Sequence, residues 1–96
     1  MYGTIARFRL KSGMEGRLAQ ELRLIEEVNV PGFIKTGVYR MDRDPREYYL
    51  VTMFENKEAY MANADSPEQD ARYRQMAQLF EDEPDWNDGE IIYISP

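Results

Sequence analysis

The amino-acid sequence predicts an α+β fold of the ferredoxin-like type, with the element order β-α-β-β-α-β. Two patterns support this prediction. Three segments alternate residues between two faces, as strands do, and two others repeat apolar residues at intervals of three or four, as amphipathic helices do. The length of 96 residues suits one domain that covers residues 1–96.

The first two predicted elements are a strand and a helix. The strand is expected at Tyr2–Leu10, with Arg7 and Arg9 on one of its faces. The helix is expected at Met14–Val28, because apolar residues recur there every three or four positions and so share one helical face. This stripe consists of Met14, Leu18, Leu22, Ile25 and Val28, and Leu24 widens it.

A β-hairpin is predicted after this helix. Its strands are expected at Phe33–Met41 and Glu47–Glu55, and the turn between them, Asp42–Arg46, contains two Asp residues and one Pro. The second strand of the hairpin is apolar on both faces, which is typical of a strand that is covered on both sides. We therefore expect this strand in the middle of the sheet.

Two helices are predicted in the second half of the chain. Asn56 is the expected N-cap of a short helix at Lys57–Ala64. Ser66 is expected to cap the next helix, which begins at Pro67 because proline suits the first helical position. This helix is expected to run to about Glu83, where the following proline stops it.

An acidic segment and a last strand end the predicted order. Asp85–Asp88 is expected to be a loop that contains the only tryptophan, Trp86, and the β-branched residues of Gly89–Ser95 predict a strand. Six acidic residues fall within Glu81–Glu90, but their spacing does not match a calcium-binding loop, so we expect a solvated loop. Trp86 is expected at the rim of a cavity or at a subunit interface.

The composition narrows the chemistry that is open to the chain. It has no Cys and no His, which removes thiolate metal sites, cysteine nucleophiles and imidazole bases, so neither a metal nor a cofactor is expected. The formal net charge is −6, and the acidic excess lies in the second half, so neither nucleic acid nor a membrane is expected as a partner. No signal peptide is visible, and a cytoplasmic location is expected.

One face of the predicted sheet lacks a cover. In this element order the helices lie on a single face of the sheet, and the other face still carries large apolar residues on several strands. An exposed apolar face of this size favours aggregation unless a partner covers it. A homodimer that pairs two sheets face to face is therefore expected.

Several stretches of the chain are similar to one protein family. They are Arg9–Gly13 before the first helix, Pro31–Ile34 at the start of the hairpin, Tyr39, and Phe54–Tyr60 after the third strand. In these stretches the chain resembles the antibiotic biosynthesis monooxygenase (ABM) family of dimeric α+β barrel proteins. The resemblance implies this fold, a homodimer, and oxidation of a small hydrophobic aromatic ligand without a cofactor.

The resemblance also implies a set of site residues. Tyr60 matches a pocket tyrosine of the cofactor-free, quinone-forming monooxygenases, whose pocket tryptophan and asparagine fall on Phe54 and Leu50. In the haem-degrading branch an asparagine falls on Phe8 and the ligating histidine has no counterpart, so no haem is expected. The small quinol monooxygenases and the autoinducer-degrading relatives also rely on histidine. Because the chain has none, their activities are not expected of it.

Three candidate sites each have a structural explanation as well. Tyr60 is either a phenol that donates a hydrogen bond to a bound ketone or phenolate, or a core tyrosine whose hydroxyl reaches the surface. Tyr39, with the two tyrosines of the opposite strand, either lines an aromatic pocket or packs in an interface. Arg7, like Arg9 beside it, either holds a ligand anion in the cavity or pairs with acidic residues at the surface.

The expected function is that of a cofactor-independent monooxygenase that oxidises a small aromatic or quinol-type substrate in an apolar cavity between sheet and helices. Tyr60 is the expected catalytic residue, and Arg7, Tyr39, Leu50 and Phe54 are expected to bind the substrate. The alternative is a non-catalytic, ligand-binding or structural dimer with the same fold. A lyase or isomerase with a carboxylate base ranks last, because no carboxylate lies on a clearly inward face.

Overall fold

The computed structural model describes residues 1–96 and contains four strands and three helices. Their order along the chain is β1 (Tyr2–Arg9), α1 (Glu15–Glu26), β2 (Phe33–Arg40), β3 (Glu47–Phe54), α2 (Lys57–Ala64), α3 (Pro67–Ala77) and β4 (Asp85–Glu90). The predicted α+β fold class with the ferredoxin-like order is confirmed. The second helix of the β-α-β-β-α-β order consists of two short helices, α2 and α3. α2 has the bounds that were predicted for it.

The four strands form one antiparallel sheet in the order β2-β3-β1-β4. β3 is an interior strand, as its two apolar faces predicted. β1 is the other interior strand, and its Thr4 pairs with Thr52 of β3 on one side and with Asp88 of β4 on the other. Directly paired residues point to the same face of a sheet, so these three side chains share the face that the helices cover.

Large side chains fill one end of the space between the sheet and the helices. Phe8 of β1 stacks on Tyr48 of β3, with ring centroids 5.4 Å apart, and its ring lies 4.6 Å from that of Phe80. Leu10 follows β1 and bridges to Phe80, which ties the segment after α3 to the sheet. The buried residues of this core are Phe8, Leu10, Leu18, Tyr48, Leu79 and Phe80.

α1 covers the sheet through the apolar stripe that was predicted for it. Leu18 is buried in the core, and Met14 and Leu22 pack against the same core. Ile25, near the end of α1, faces a cavity instead. Leu24 departs from the prediction, because it is 58% exposed; it lies about 100° around the helix from the centre of the stripe.

Both predicted helix caps are formed. Asn56 Oδ1 accepts a hydrogen bond of 2.8 Å from the backbone N–H of Ala59 in the first turn of α2. Ser66 Oγ accepts one of 3.1 Å from the backbone N–H of Gln69, and Pro67 occupies the start of α3. Because the caps fix where α2 and α3 begin, they also fix which of their side chains face the sheet.

The predicted bounds near the C-terminus are wrong. α3 ends at Ala77 rather than near Glu83, and β4 occupies Asp85–Glu90, in place of a loop followed by a strand at Gly89–Ser95. The chain leaves α3 early because the backbone N–H of Glu81 donates to the carbonyl oxygen of Arg9 at the end of β1.

The length of β1 explains where β4 ends. β4 runs antiparallel to β1, so Glu90 lies opposite Tyr2, and the backbone N–H of Ile91 reaches the carbonyl oxygen of Met1. Beyond this point β1 offers no further partner. The β-branched residues that follow therefore stay outside the sheet, since strand propensity depends on pairing and packing.

The second face of the sheet has no helix over it. On this face the side chain of Ile5 is 52% exposed and that of Tyr39 is 61% exposed, while Val51 and Met53 are half-buried. The segment after β4 adds Ile92, which is 90% exposed. None of the three helices has both the length and the apolarity that crossing a membrane requires.

A glycine in β1 allows a close approach to β3. A Cβ atom added to Gly3 would lie 1.8 Å from the carbonyl oxygen of Thr52, well inside contact distance. Gly3 also pairs with Gly89 of β4, where an added Cβ atom would meet nothing within 4 Å. Of these two paired glycines, only Gly3 is required by the space around it.

We expect Gly3→Ala to lower the free energy of unfolding by about 2 kcal/mol, because the added methyl group forces β1 away from β3. Gly89→Ala is the matched control in the same ladder, and we expect it to change that free energy by less than about 0.5 kcal/mol. Chemical denaturation followed by circular dichroism measures both values. Equal losses for the two variants would contradict this account of Gly3.

Candidate functional site

A cavity of about 510 Å³ lies between the helix-covered face of the sheet and the three helices. It begins where the core ends, because the sheet there presents small side chains such as Thr4, Ala6 and Thr52. Most of the lining is apolar. The helices and β4 contribute side chains that include Leu22, Ile25, Tyr60, Asn63, Arg72, Tyr73, Met76 and Trp86.

Tyr60 enters this cavity from α2, one turn after the Asn56 cap. Its ring makes edge-on contacts with two aromatic rings, Tyr2 of β1 at 5.3 Å and Phe54 of β3 at 5.5 Å between centroids. Phe54 is buried and in turn contacts Phe33 of β2 at 5.7 Å. Rings from β1 and β3 therefore pack directly against the phenol of Tyr60, and Phe33 of β2 supports Phe54 behind it.

The hydroxyl of Tyr60 donates a hydrogen bond of 2.8 Å to Oδ1 of Asp88 in β4. Burial, together with this carboxylate, raises the pKa of Tyr60 to about 12, and the Thr4 hydroxyl acts in the opposite direction. Tyr60 is therefore protonated across the physiological pH range. Its single proton points toward Asp88, and its oxygen keeps a lone pair for another partner.

Threonine hydroxyls form a row across the floor of the cavity. Thr36 of β2 and Thr52 of β3 pair in the sheet, and their hydroxyl oxygens lie 3.0 Å apart. Thr4 of β1 comes next in the row, and it is 5% exposed. Its Oγ1 is buried without a hydrogen-bond partner. This hydroxyl belongs to the cavity lining, and it favours the ionised form of the neighbouring Tyr60.

A positive charge lies on the opposite wall of the cavity. Arg72 of α3 donates hydrogen bonds of 3.1 and 3.3 Å to Gln69 Oε1, and a longer one of 3.5 Å to Asn63 Oδ1 of α2. Neither partner is charged, so the charge of the guanidinium group is not neutralised by its hydrogen bonds. The lining also contains the carboxylates of Asp70 and Glu83, and Arg72 is the one cation in it. An anionic group on a bound ligand would pair with Arg72.

The structure brings three of the five predicted site residues into this cavity. Tyr60, Phe54 and Leu50 line it, whereas Arg7 and Tyr39 do not. The last two lie on the uncovered face of the sheet, since strand residues alternate between faces and both are out of phase with the cavity-lining residues of their strands. Tyr39 pairs there with a second tyrosine across the hairpin, Tyr49.

Arg7 takes part in an ion pair instead. Its Nε donates to one carboxylate oxygen of Glu47, and Nε of Arg43 donates to the other at 2.6 Å. Glu47 is buried, and the guanidinium groups of Arg43 and Arg7 hold the pKa of its carboxyl below the ordinary value. Arg9 likewise pairs with Glu81 at 2.7 Å. Of the two explanations for these arginines, the geometry favours pairing with acidic residues.

Trp86 lies at the cavity, as predicted. It belongs to β4, opposite Ala6 of β1, and its ring is 5.8 Å from that of Tyr73 in α3. The side chain is half-exposed, so it forms part of the rim. As the only tryptophan, it also provides a fluorescence signal close to any bound ligand.

Three polar residues of the site were not identified from the sequence. Thr4 shares the covered face with Phe8, but nothing local in the sequence marks its hydroxyl, whose surroundings follow only from the fold. A charged helical residue usually faces solvent, so the sequence gives no reason to place Arg72 in the cavity. Asp88 was assigned to a loop, and only the pairing of β4 with β1 brings it to Tyr60.

Residues 1–75 of the chain match the family model described as antibiotic biosynthesis monooxygenase. The match includes β1, α1, β2, β3, α2 and most of α3, and it ends before β4. Among curated proteins, none matches the chain by sequence.

Solved structures share the fold at low sequence identity. SnoaB, a cofactor-independent oxygenase from Streptomyces nogalater studied as a mutant, aligns with a TM-score of 0.77 and 13% identity over 99% of this chain and 96% of its own. A protein of unknown function from Nitrosomonas europaea aligns with a TM-score of 0.79 and 16% identity over 99% and 92%. A conserved protein from Methanosarcina mazei gives 0.78 and 13% over 92% and 89%.

We expect Asp88→Ala to lower the pKa of Tyr60 from about 12, because it removes the carboxylate that adds to the effect of burial; burial still keeps the value above the ordinary one. The measurement is an NMR titration of protein with ¹³C-labelled tyrosine, in which Tyr60→Phe assigns the signal. Asp85→Asn, a change on the other face of β4, is the control and should leave the pKa unchanged. An unchanged pKa in Asp88→Ala would contradict the assigned hydrogen bond.

Proposed function

The chain belongs to the antibiotic biosynthesis monooxygenase family, and we propose that it oxidises a small aromatic or quinol-type substrate with molecular oxygen, without a cofactor. One observation carries this proposal: the cavity of about 510 Å³ is large enough for a bicyclic aromatic compound and joins an apolar lining to a few polar groups. Sites for small molecules usually combine these two properties. The description of SnoaB as a cofactor-independent oxygenase supports the same reaction type.

Different residues of the cavity lining contact different parts of the substrate. The rings of Phe54 and Trp86 and the side chain of Leu50 present flat apolar surface to the rings of a substrate. Tyr60 and Thr4 present oxygen atoms to its hydroxyl group, and Arg72 places a positive charge on the other wall. The apolar enclosure removes water from the substrate, which strengthens each of these polar contacts.

The balanced reaction of a phenol consumes one O₂ and gives a quinone and one water. The substrate supplies all the electrons. One oxygen atom replaces the hydrogen of a ring C–H bond and becomes the new carbonyl, and the other leaves as water when the O–O bond of a ring hydroperoxide breaks. The hydroxyl proton passes to the Tyr60 oxygen while the Tyr60 proton passes to Asp88. The reverse transfer returns a proton to the ring peroxide, and this proton and the hydrogen of the ring C–H bond leave in the water.

A second candidate function is ligand binding without catalysis. The positions that match the pocket tryptophan and asparagine of the quinone-forming relatives are Phe54 and Leu50, and both are apolar side chains that line the cavity. A site that keeps only the tyrosine of these three polar groups retains the cavity but loses hydrogen-bonding capacity. This observation favours a binding protein, which would take up the same ligands and consume no oxygen.

We expect the wild-type protein to increase oxygen uptake by at least one compound in a panel of phenols and naphthols, above the rate without protein. Tyr60→Phe should lower the protein-dependent rate by about 100-fold, the usual contribution of a proton-transferring side chain. The matched control is Tyr39→Phe, which removes the same atom on the other face of the sheet and should keep the rate. An oxygen electrode measures all three proteins.

Absence of oxygen uptake with every compound, in a protein that still binds them, would contradict the monooxygenase proposal and favour the binding function. Equal losses in Tyr60→Phe and Tyr39→Phe would instead contradict the assignment of Tyr60 as the catalytic residue.

We also propose that the protein is a homodimer that pairs its two uncovered sheet faces. Ile5 and Tyr39 are more than half exposed on this face, and Val51 of the interior strand β3 pairs with Ile5. Apolar area of this kind on an interior strand is unusual for a monomer. The face lies opposite the cavity, so pairing there leaves the site free on each subunit.

We expect light scattering to give the mass of a dimer at micromolar concentration, and Ile5→Asp to give a monomer, because a charge in an apolar interface is costly. Leu24→Asp is the matched control, since Leu24 is equally exposed, at 58%, but lies on α1 away from this face. A monomeric wild-type protein would contradict the proposed dimer, and so would dissociation of both variants.

A further inference from the structure

We propose that Arg72 binds an anionic group of the ligand, and that the cavity therefore takes aromatic carboxylates. Arg72 lies where the cavity meets a surface groove between α1 and α3, so the carboxylate faces the groove and the ring system points inward. This inference rests on the proposed function in one respect, which is that the cavity is the ligand site. It adds the charge of the ligand and its orientation.

The groove is a smaller space of about 210 Å³ beside the cavity. Its lining includes Leu24, Ile25 and Val28 from α1 and the segment after it, and Arg72 and Gln75 from α3. Ile25, Val28 and Arg72 also line the cavity, so these three side chains lie between the two spaces. Because Ile25 is 39% exposed and Arg72 is half-buried, this part of the cavity is close to solvent.

The hydrogen bonds of Arg72 leave part of its guanidinium group free. Its Nε and Nη2 atoms both donate to Gln69 Oε1, and Nη2 also donates to Asn63 Oδ1. The two N–H groups of Nη1 take no part in these bonds. An arginine side chain presents five N–H donors in a planar fork, which matches the two oxygens of a carboxylate. The two amide side chains therefore orient the fork, and Nη1 remains available to a ligand.

The positive charge of Arg72 also lacks a counterion. None of the ion pairs in the structure includes Arg72. Asp70 pairs with Arg74 at 2.8 Å, and it lies two positions from Arg72, a spacing at which helical side chains do not face each other. Glu83 of the cavity and Glu21 of the groove are the other carboxylates in the two linings. Arg72 is the only cation in either lining, so a ligand carboxylate supplies the counterion that the protein does not.

Apolar side chains lie within one ring system of Arg72. Asn63, to which Arg72 donates, is three residues after Tyr60 on α2, so the Cβ atoms of these two residues are about 5–6 Å apart on one helix face. Met76, one turn after Arg72 on α3, also lines the cavity.

A carboxylate that is attached directly to a bicyclic ring system therefore reaches Arg72 while its rings stay among the apolar side chains. A carboxamide of the same shape fits the same space, but it carries no charge and has one acceptor oxygen in place of two. The difference between these two ligands isolates what Arg72 contributes, because their apolar contacts with the cavity are the same.

The test compares 2-naphthoate with 2-naphthamide, which share a ring system and differ in charge. We expect isothermal titration calorimetry at neutral pH to show that the wild-type protein binds 2-naphthoate about tenfold more tightly, the effect of one hydrogen bond between charged groups. Arg72→Gln should reduce the preference to about twofold or less, because it removes the charge and keeps a polar side chain. Arg72→Lys keeps the charge without the planar fork and should retain part of the preference.

The control is Arg23→Gln, which removes the same charge from an exposed position of α1 that lines neither space and should keep the wild-type ratio. A wild-type protein that binds the amide as tightly as the carboxylate, or binds neither, overturns the inference. So does a ratio that stays at the wild-type value in Arg72→Gln, or one that falls equally in Arg23→Gln.

Calorimetry without turnover separates this result from the oxygen assay. A preference for the carboxylate without oxygen uptake from any compound contradicts the proposed oxidation alone. Oxygen uptake from uncharged phenols, in a protein without this preference, contradicts the inference about Arg72 alone.

Discussion

The register of β1 between its two neighbours is the constraint on which the site depends. Thr4 meets Thr52 on one side and Asp88 on the other, and this places their side chains on the helix-covered face. A slip of one residue in either ladder would turn a whole strand over and move these groups to the opposite face. The close approach at Gly3, where no side chain fits, fixes the same ladder.

Side-chain size along the covered face decides where the cavity lies. Phe8 and Tyr48 stack at one end and, with Leu18 of α1, fill the space beneath the helices. At the other end β1 and β3 present Thr4 and Thr52, which are too short to reach the helices. Both ends therefore belong to one layer: the first stabilises the fold, and the second leaves the volume that a ligand requires.

Much of this architecture could be predicted from local sequence signals. The caps at Asn56 and Ser66 and the alternation in β1 and β3 act over a few residues, and they gave the correct elements. β4 was misplaced because its position depends on pairing with Tyr2–Arg9, far away in sequence, and local propensity favoured the residues after it. The placement of Asp88 beside Tyr60 depends on the same long-range pairing.

The predicted site residues divide between the two faces of the sheet, so only some of them lie in the cavity. Tyr60, Phe54 and Leu50 lie in the cavity, while Arg7 and Tyr39 point away from it, although the alternation in β1 already separated Arg7 from the face of Phe8. The resemblance to a family located the site through Tyr60, but the polar partners of that tyrosine follow only from the tertiary structure.

A crystal structure of the protein with 2-naphthol tests the central claim most directly. We expect the ring system in the cavity beneath α2 and α3, with its hydroxyl oxygen within hydrogen-bonding distance of both Tyr60 Oη and Thr4 Oγ1. Tyr60 should keep its hydrogen bond to Asp88 in that complex. A naphthol bound on the uncovered face, or one in the cavity whose hydroxyl contacts neither Tyr60 nor Thr4, would contradict it.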